Sequence, residues 1–181
     1  MMRDGGTGML YFPLLNYANG NLDFLEEALD SEDCVNSLSD GGAHCGTICD
    51  AAATTFMLQH WVRDRQGKRI PLEQAIKRQC RDTARLYGFQ DRGVLAPGLL
   101  ADLNVIDFEA LQLELPTVAF DLPAGGRRLL QEAVGYDFTI KSGRVTFQKG
   151  QPTGDYPGRV IRGPQPAPSV TSPPVSATDS R

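Results

Sequence analysis

The residues best equipped for chemistry lie close together in the run Asp40-Gly41-Gly42-Ala43-His44-Cys45-Gly46-Thr47-Ile48-Cys49-Asp50. A carboxylate, an imidazole and two thiols in one short stretch invite a zinc reading. The spacing His-Cys-x3-Cys-Asp fits none of the common structural zinc patterns, and small polarizable side chains filling a packed turn explain the thiols better. Asp40 closes a strand-like run, Cys34 to Ser39, and two glycines follow it. Glycines there permit backbone angles closed to other residues, so the order is strand, sharp turn, loop. On residue types alone Asp40 is a turn or helix-cap aspartate. His60, next to Trp61 on an expected helix, reads as structural, and Asp102 and Asp107 read as turn or edge residues flanking a strand.

The elements around this run follow from periodicity. Asn19-Gly20 marks a turn, after which Leu22, Leu25, Ala28 and Leu29 recur at helical spacing. Ala51 to Val62 is helical, and Arg63 to Arg69 reads as a solvated charged connector. Pro71 suits a first helical turn. Leu72, Ala75, Ile76, Cys80, Thr83, Ala84 and Tyr87 then trace one face, Gly88 stops the helix, and Glu73, Lys77, Arg78, Arg81 and Arg85 form the expected wet face. From Gly93 the period changes. Ala101 to Asp107 alternates, and Phe138–Lys141 and Arg144–Gln148 alternate about Ser142-Gly143, which predicts a hairpin. From Gly163 to Arg181 there are five prolines among Ser, Thr and Ala, the composition of a disordered tail.

Composition narrows the function classes. The chain has 181 residues, 41% hydrophobic and 22% charged, as globular proteins do. A complete eight-stranded α/β barrel needs about 250 residues and is excluded. Net charge is −4, and Lys and Arg are scattered, which argues against nucleic acid. Apolar runs such as Met9–Leu15 are far shorter than the roughly 18 residues of a membrane span, and a cleavable export signal is absent. The expectation is a cytoplasmic protein with Cys34, Cys45, Cys49 and Cys80 reduced.

Four segments, in order, resemble the amidohydrolase superfamily in its N-acyl-D-amino-acid deacylase and D-aminoacylase branch. They are Pro13–Asn21, Leu38-Ser39-Asp40-Gly41-Gly42-Ala43-His44, the patterned Asp91–Val105 containing Gly93-x-x-x-Pro97-Gly98-x-x-Ala101-Asp102-Leu103, and Lys141–Val145. The resemblance implies an α/β chain holding the C-terminal portion of a TIM-barrel amidohydrolase, its last barrel strand plus helices, followed by part of a small β-sandwich domain. The division is 1–90 for the barrel end, 91–162 for the β part and 163–181 for the tail.

The same resemblance implies that Asp40 is the catalytic residue. Barrel active sites lie at the C-terminal ends of strands, and a carboxylate there can accept a proton from a metal-bound water and return it to the leaving nitrogen. His44 is the candidate substrate-binding residue, with a satisfied loop histidine as its alternative. The family implies zinc, yet its usual His-x-His pair and further histidines are absent from a chain with two histidines, leaving at most a weak contribution from Asp40. Without a metal, water keeps a pKa of about 15.7 instead of about 7, so the chain by itself is expected to be inactive. The implied partners are an N-acyl amino acid or related amide, and an N-terminal barrel fragment. Truncated product, split subunit and retained non-catalytic remnant acting as a binding module all stay open.

Overall fold

The computed structural model describes residues 10, 12, 15–17, 19–36 and 44–169. By internal contacts the chain divides into Met1–Val35 and Asn36–Arg181.

In the first unit the expected helix forms one turn late, as α1 (Leu25–Asp30), with Glu26 and Glu27 at its positive end. Asn21 accepts a hydrogen bond from the Asp23 amide at 3.1 Å through its side-chain oxygen, closing the turn before it. Cys34–Asn36 is irregular, and the rest of the strand-like run, with Asp40, lies outside the described residues.

In the second unit, α2 starts at Ala53–Phe56 and continues in π geometry over Met57–Asp64. α3 runs over Leu72–Lys77, passes through π geometry at Arg78–Asp82 and ends at Thr83–Leu86. Met57, Leu58, Trp61, Ile70, Ala75 and Ala84 are the buried apolar residues of this part. Two expectations need correction. Asp64 and residues 66–69 are exposed as expected of a solvated connector, but Arg65 within it is only 7% exposed, lies 4.5 Å over the Trp61 ring and donates to the Lys68 carbonyl at 2.6 Å. Arg78, assigned to the wet face of α3, is buried, while Leu72, Ile76, Cys80 and Tyr87 of the expected apolar face are exposed. The π segment at Arg78–Asp82 adds a residue to the turn and rotates the positions after it, such as Tyr87, whereas Leu72 and Ile76 precede it and are exposed on α3 itself.

The β strands are β1 (Leu103–Ile106), β2 (Gln112–Leu113), β3 (Thr117–Leu122), β4 (Gly126–Leu130), β5 (Ala133–Val134), β6 (Tyr136–Lys141), β7 (Arg144–Gln148) and β8 (Gln151–Pro152). Pairing is nested and antiparallel: β1 with β6, β2 with β5, β3 with β4. Residues 103–141 are therefore one interrupted ribbon that folds back at Pro123–Gly125, and β7 and β8 extend its base into a sheet of order β1-β6-β7-β8. The hairpin expected at Ser142-Gly143 is present, with both residues at positive φ, 53° and 76°, as a tight two-residue turn demands.

Glycine is obligatory at Gly135 (φ +94°), where an added Cβ would meet the backbone of fully buried Leu111 at 2.6 Å. The chain also remains placed beyond the expected start of the tail. Gln165 forms a parallel bridge to Phe89, exchanging backbone hydrogen bonds of 2.9 and 3.0 Å with Gln90 and Gly88. Backbone pairing thus holds Gln165 in a proline-containing segment that composition alone would release. Residues 170–181 are outside the described set. Among the described residues no helix is long and apolar enough to cross a membrane.

Candidate functional site

The candidate site begins at the turn that follows Asp40 by four residues. His44 stands at φ 55°. Its carbonyl oxygen accepts three hydrogen bonds, from the amides of Thr47 (2.8 Å) and Ile48 (2.9 Å) and from Thr47 Oγ1 (3.2 Å). These bonds close the turn and leave the imidazole on the exposed side of the chain. The expected substrate-binding histidine is therefore held by its backbone, with its side chain available to a neighbour.

The next residue ties this turn to the ribbon. The Leu129 amide on β4 donates to the Cys45 carbonyl at 2.6 Å, and a Cβ built on Gly46 would lie 3.8 Å from the Arg127 carbonyl. The end of the ribbon thus lies against the His44–Thr47 turn. Sequence reasoning left residues 108–137 unassigned, and the signals that could have marked the fold-back are the cluster Pro123-Ala124-Gly125-Gly126 between two apolar runs.

Within this arm Arg128 donates to Asp121 through Nε at 2.7 Å and again through Nη2. Hydrogen bonding to Arg128 is the main reason the Asp121 carboxyl lies below its ordinary pKa. At the other end of the ribbon, α2 grips its base. Gln59 accepts from the Leu113 amide at 2.9 Å, Arg63 donates to the Phe108 and Glu109 carbonyls at 2.6 and 3.1 Å, and the Thr55 and Tyr136 hydroxyls bond at 2.8 Å.

The remaining candidates have structural places. His60 stacks on Phe56 with ring centroids 4.9 Å apart and meets Trp61 edge-on at 5.5 Å. Burial, aided by Arg65, lowers its pKa. Asp102 receives Lys141 Nζ at 2.9 Å and the Ser142 amide at 2.8 Å, and so pins the β6–β7 turn to the loop before β1. Burial opposes its charge, but those two hydrogen bonds and the charges of Lys141 and Arg92 outweigh it and hold the carboxyl below the ordinary value. Asp107 accepts from the Ala110 amide at 3.1 Å, a turn role.

Cys45 and Cys49 are free thiols, and burial, followed by the Asp50 charge, raises the Cys49 pKa. Among the described residues no group of three or more His, Cys, Asp or Glu comes together as a metal site. The described residues do not by themselves fit a resident metal. The structure brings His44 and Cys45 to the arm. It keeps His60, Asp102 and Asp107 in other, structural surroundings.

Comparison with known proteins gives no match to a curated protein and none to a solved structure. The amidohydrolase family matches residues 18–147, most of the chain, including the Asp40 run, both long helices and the whole ribbon. Members of this family are hydrolases and generally depend on a metal. On that match, the chain belongs to the amidohydrolase family.

Proposed function

We propose that this chain forms the C-terminal part of a metal-dependent hydrolase of amide C–N bonds, of the N-acyl-D-amino-acid deacylase kind, with Asp40 as its general acid and base. The observation that carries the reading is the family match over residues 18–147, which takes in the Asp40 run and the ribbon as one unit. In this reading the Ser39-Asp40-Gly41 pattern stands where the family's last barrel strand ends, residues 91–162 are part of the small β domain, and zinc is held by side chains outside this sequence. A cytoplasmic setting belongs to the same proposal.

Asp40 takes a proton from the attacking water as the C–O bond forms. It then delivers that proton to the amide nitrogen, which leaves as an amine instead of a poor anionic leaving group. His44, exposed on its turn, offers a hydrogen-bond donor to the substrate's acyl or carboxylate oxygens.

The test is to produce the full chain together with an N-terminal amidohydrolase barrel portion and zinc, and to assay N-acetyl-D-amino acids. Hydrolysis is expected only with both portions present. Asp40→Asn should lower kcat by at least about 100-fold, the range for removing a positioned acid-base group. If the two portions bind each other and nothing is hydrolysed, the catalytic reading is wrong and the chain is a binding module.

A further inference from the structure

We propose that Gly163–Gln165 is a clasp that closes the corner after α3 and, through that corner, keeps the β6–β7 turn in order, so that release of the C-terminal segment loosens the sheet.

The corner, Gly88–Arg92, has two sides. Towards α3, the Phe89 amide donates to the Ala84 carbonyl at 2.8 Å, and a Cβ added to the neighbouring Gly93 (φ +85°) would lie 2.8 Å from the Ala84 Cβ. The helix fixes that side. On the other side the Gly88 carbonyl and the Gln90 amide are strand-like groups that need partners. Gln165 supplies both, accepting from Gln90 at 2.9 Å and donating to Gly88 at 3.0 Å. Pro164 packs beside them, since a Cβ on Gly88 would meet its side chain at 2.9 Å. The Gln165 side chain donates to the Gly163 and Pro164 carbonyls at 3.2 and 3.1 Å and so shapes the clasp itself.

A short series of contacts leads from the corner to the sheet. The Arg92 guanidinium lies 5.2 Å over the Phe89 ring, donates twice to Asp91 at 2.8 and 2.9 Å, and stands 3.9 Å from Asp102. The Asp91 carbonyl accepts from the Leu100 amide at 2.9 Å, and the Ala101 carbonyl accepts from the Gly143 amide of the β6–β7 turn at 3.0 Å. One or two hydrogen bonds make each link, so losing the first gives freedom to those after it. The clasp is just as lightly built. It is a single bridge, and the chain leading to it forms no helix or strand from Asp155 to Arg162, with Tyr156 and Val160 exposed. A segment held this way opens without the helices unfolding.

The test is amide hydrogen exchange by NMR on the isotope-labelled full chain. Gln165→Pro removes the amide that donates to Gly88, and Gln165→Ala keeps it. The proline variant should speed exchange of the Gln90 amide about ten-fold, the effect of about one net hydrogen bond, and that of Leu100 and Gly143 at least about three-fold, with Trp61 unchanged. The alanine variant should stay within about two-fold of the parent at all of these positions. A measurement on the parent stands independently of whether either variant folds: Gln90, Leu100 and Gly143 should share one opening that precedes the opening at Trp61. The inference is overturned if Gln90 alone responds to Gln165→Pro, if Gln165→Ala acts as Gln165→Pro does, or if Gly143 in the parent opens only together with Trp61.

Discussion

The helical part and the ribbon reach order by different routes. From Ala53 to Leu86, buried side chains do most of the holding: Met57, Leu58, Trp61, Ala75 and Ala84, joined by Ile70 between the helices. In the ribbon from Leu103 to Lys141, Leu111 is the one buried hydrophobic among the described residues, while Phe120 is 71% exposed. The ribbon depends instead on register, on glycine turns, and on side chains of α2 that grip its base. A two-stranded ribbon cannot bury both faces, so it lends itself to reaching across to another element, as β4 does to Cys45.

The comparison breaks most visibly at Trp61. Replacing it with alanine should remove about 3–5 kcal/mol of unfolding free energy, read from the urea midpoint, because it empties a packed site and strips Arg65 of its ring partner. The ribbon's counterpart is not a large side chain but a missing one. Gly135→Ala should cost about 1–3 kcal/mol, since the residue stands at φ +94° with the Leu111 backbone where its Cβ would go. A single coincident urea transition by far-UV and near-UV signals in both variants would mean that the ribbon and helices unfold as one cooperative unit, and separated transitions would mean that they do not.

A smaller effect separates the two by pH. The folded-state pKa of Asp102 lies below its ordinary value. Its contribution is therefore complete above the unfolded value of about 3.9 and fades as pH falls through the folded one. Asp102→Asn should cost under about 1 kcal/mol near neutrality, since the pair is partly solvated, and should flatten the acid limb of the stability profile. Hydrogen exchange should assign that loss to the β6–β7 turn and spare α2. Smallest of all, Phe120→Ser should change stability by no more than about 0.5 kcal/mol, because the ring is already in water.

The same contrast explains what the sequence made legible. The Ser142-Gly143 hairpin and the long helix from Leu72 were readable because their partners are neighbours in the chain and their signals are local. The β3–β4 arm was not. In Thr117-Val118-Ala119-Phe120-Asp121-Leu122 the apolar Ala119 interrupts the alternation, and the nested pairs outside it join residues as far apart as Leu103 and Ile140. Arg65 and Arg78 were assigned to solvent by their charge, and tertiary packing overrode that assignment. At the candidate site, the resemblance to the amidohydrolase superfamily singled out Asp40 and His44, but only folding could show that Leu129 would fasten the His44–Thr47 turn. Asp40 itself lies outside the described residues, so its assignment stands on the Ser39-Asp40-Gly41 pattern and the family match.

The central claim is that Asp40 moves the proton in an amide hydrolysis. The most direct measurement is kcat/KM for an N-acetyl-D-amino acid across pH, for the zinc-loaded two-portion enzyme and its Asp40→Asn form. The account predicts a fall of at least about 100-fold in the variant, with the acid limb of the pH profile abolished. Equal activity and an unchanged profile in the two forms would contradict it.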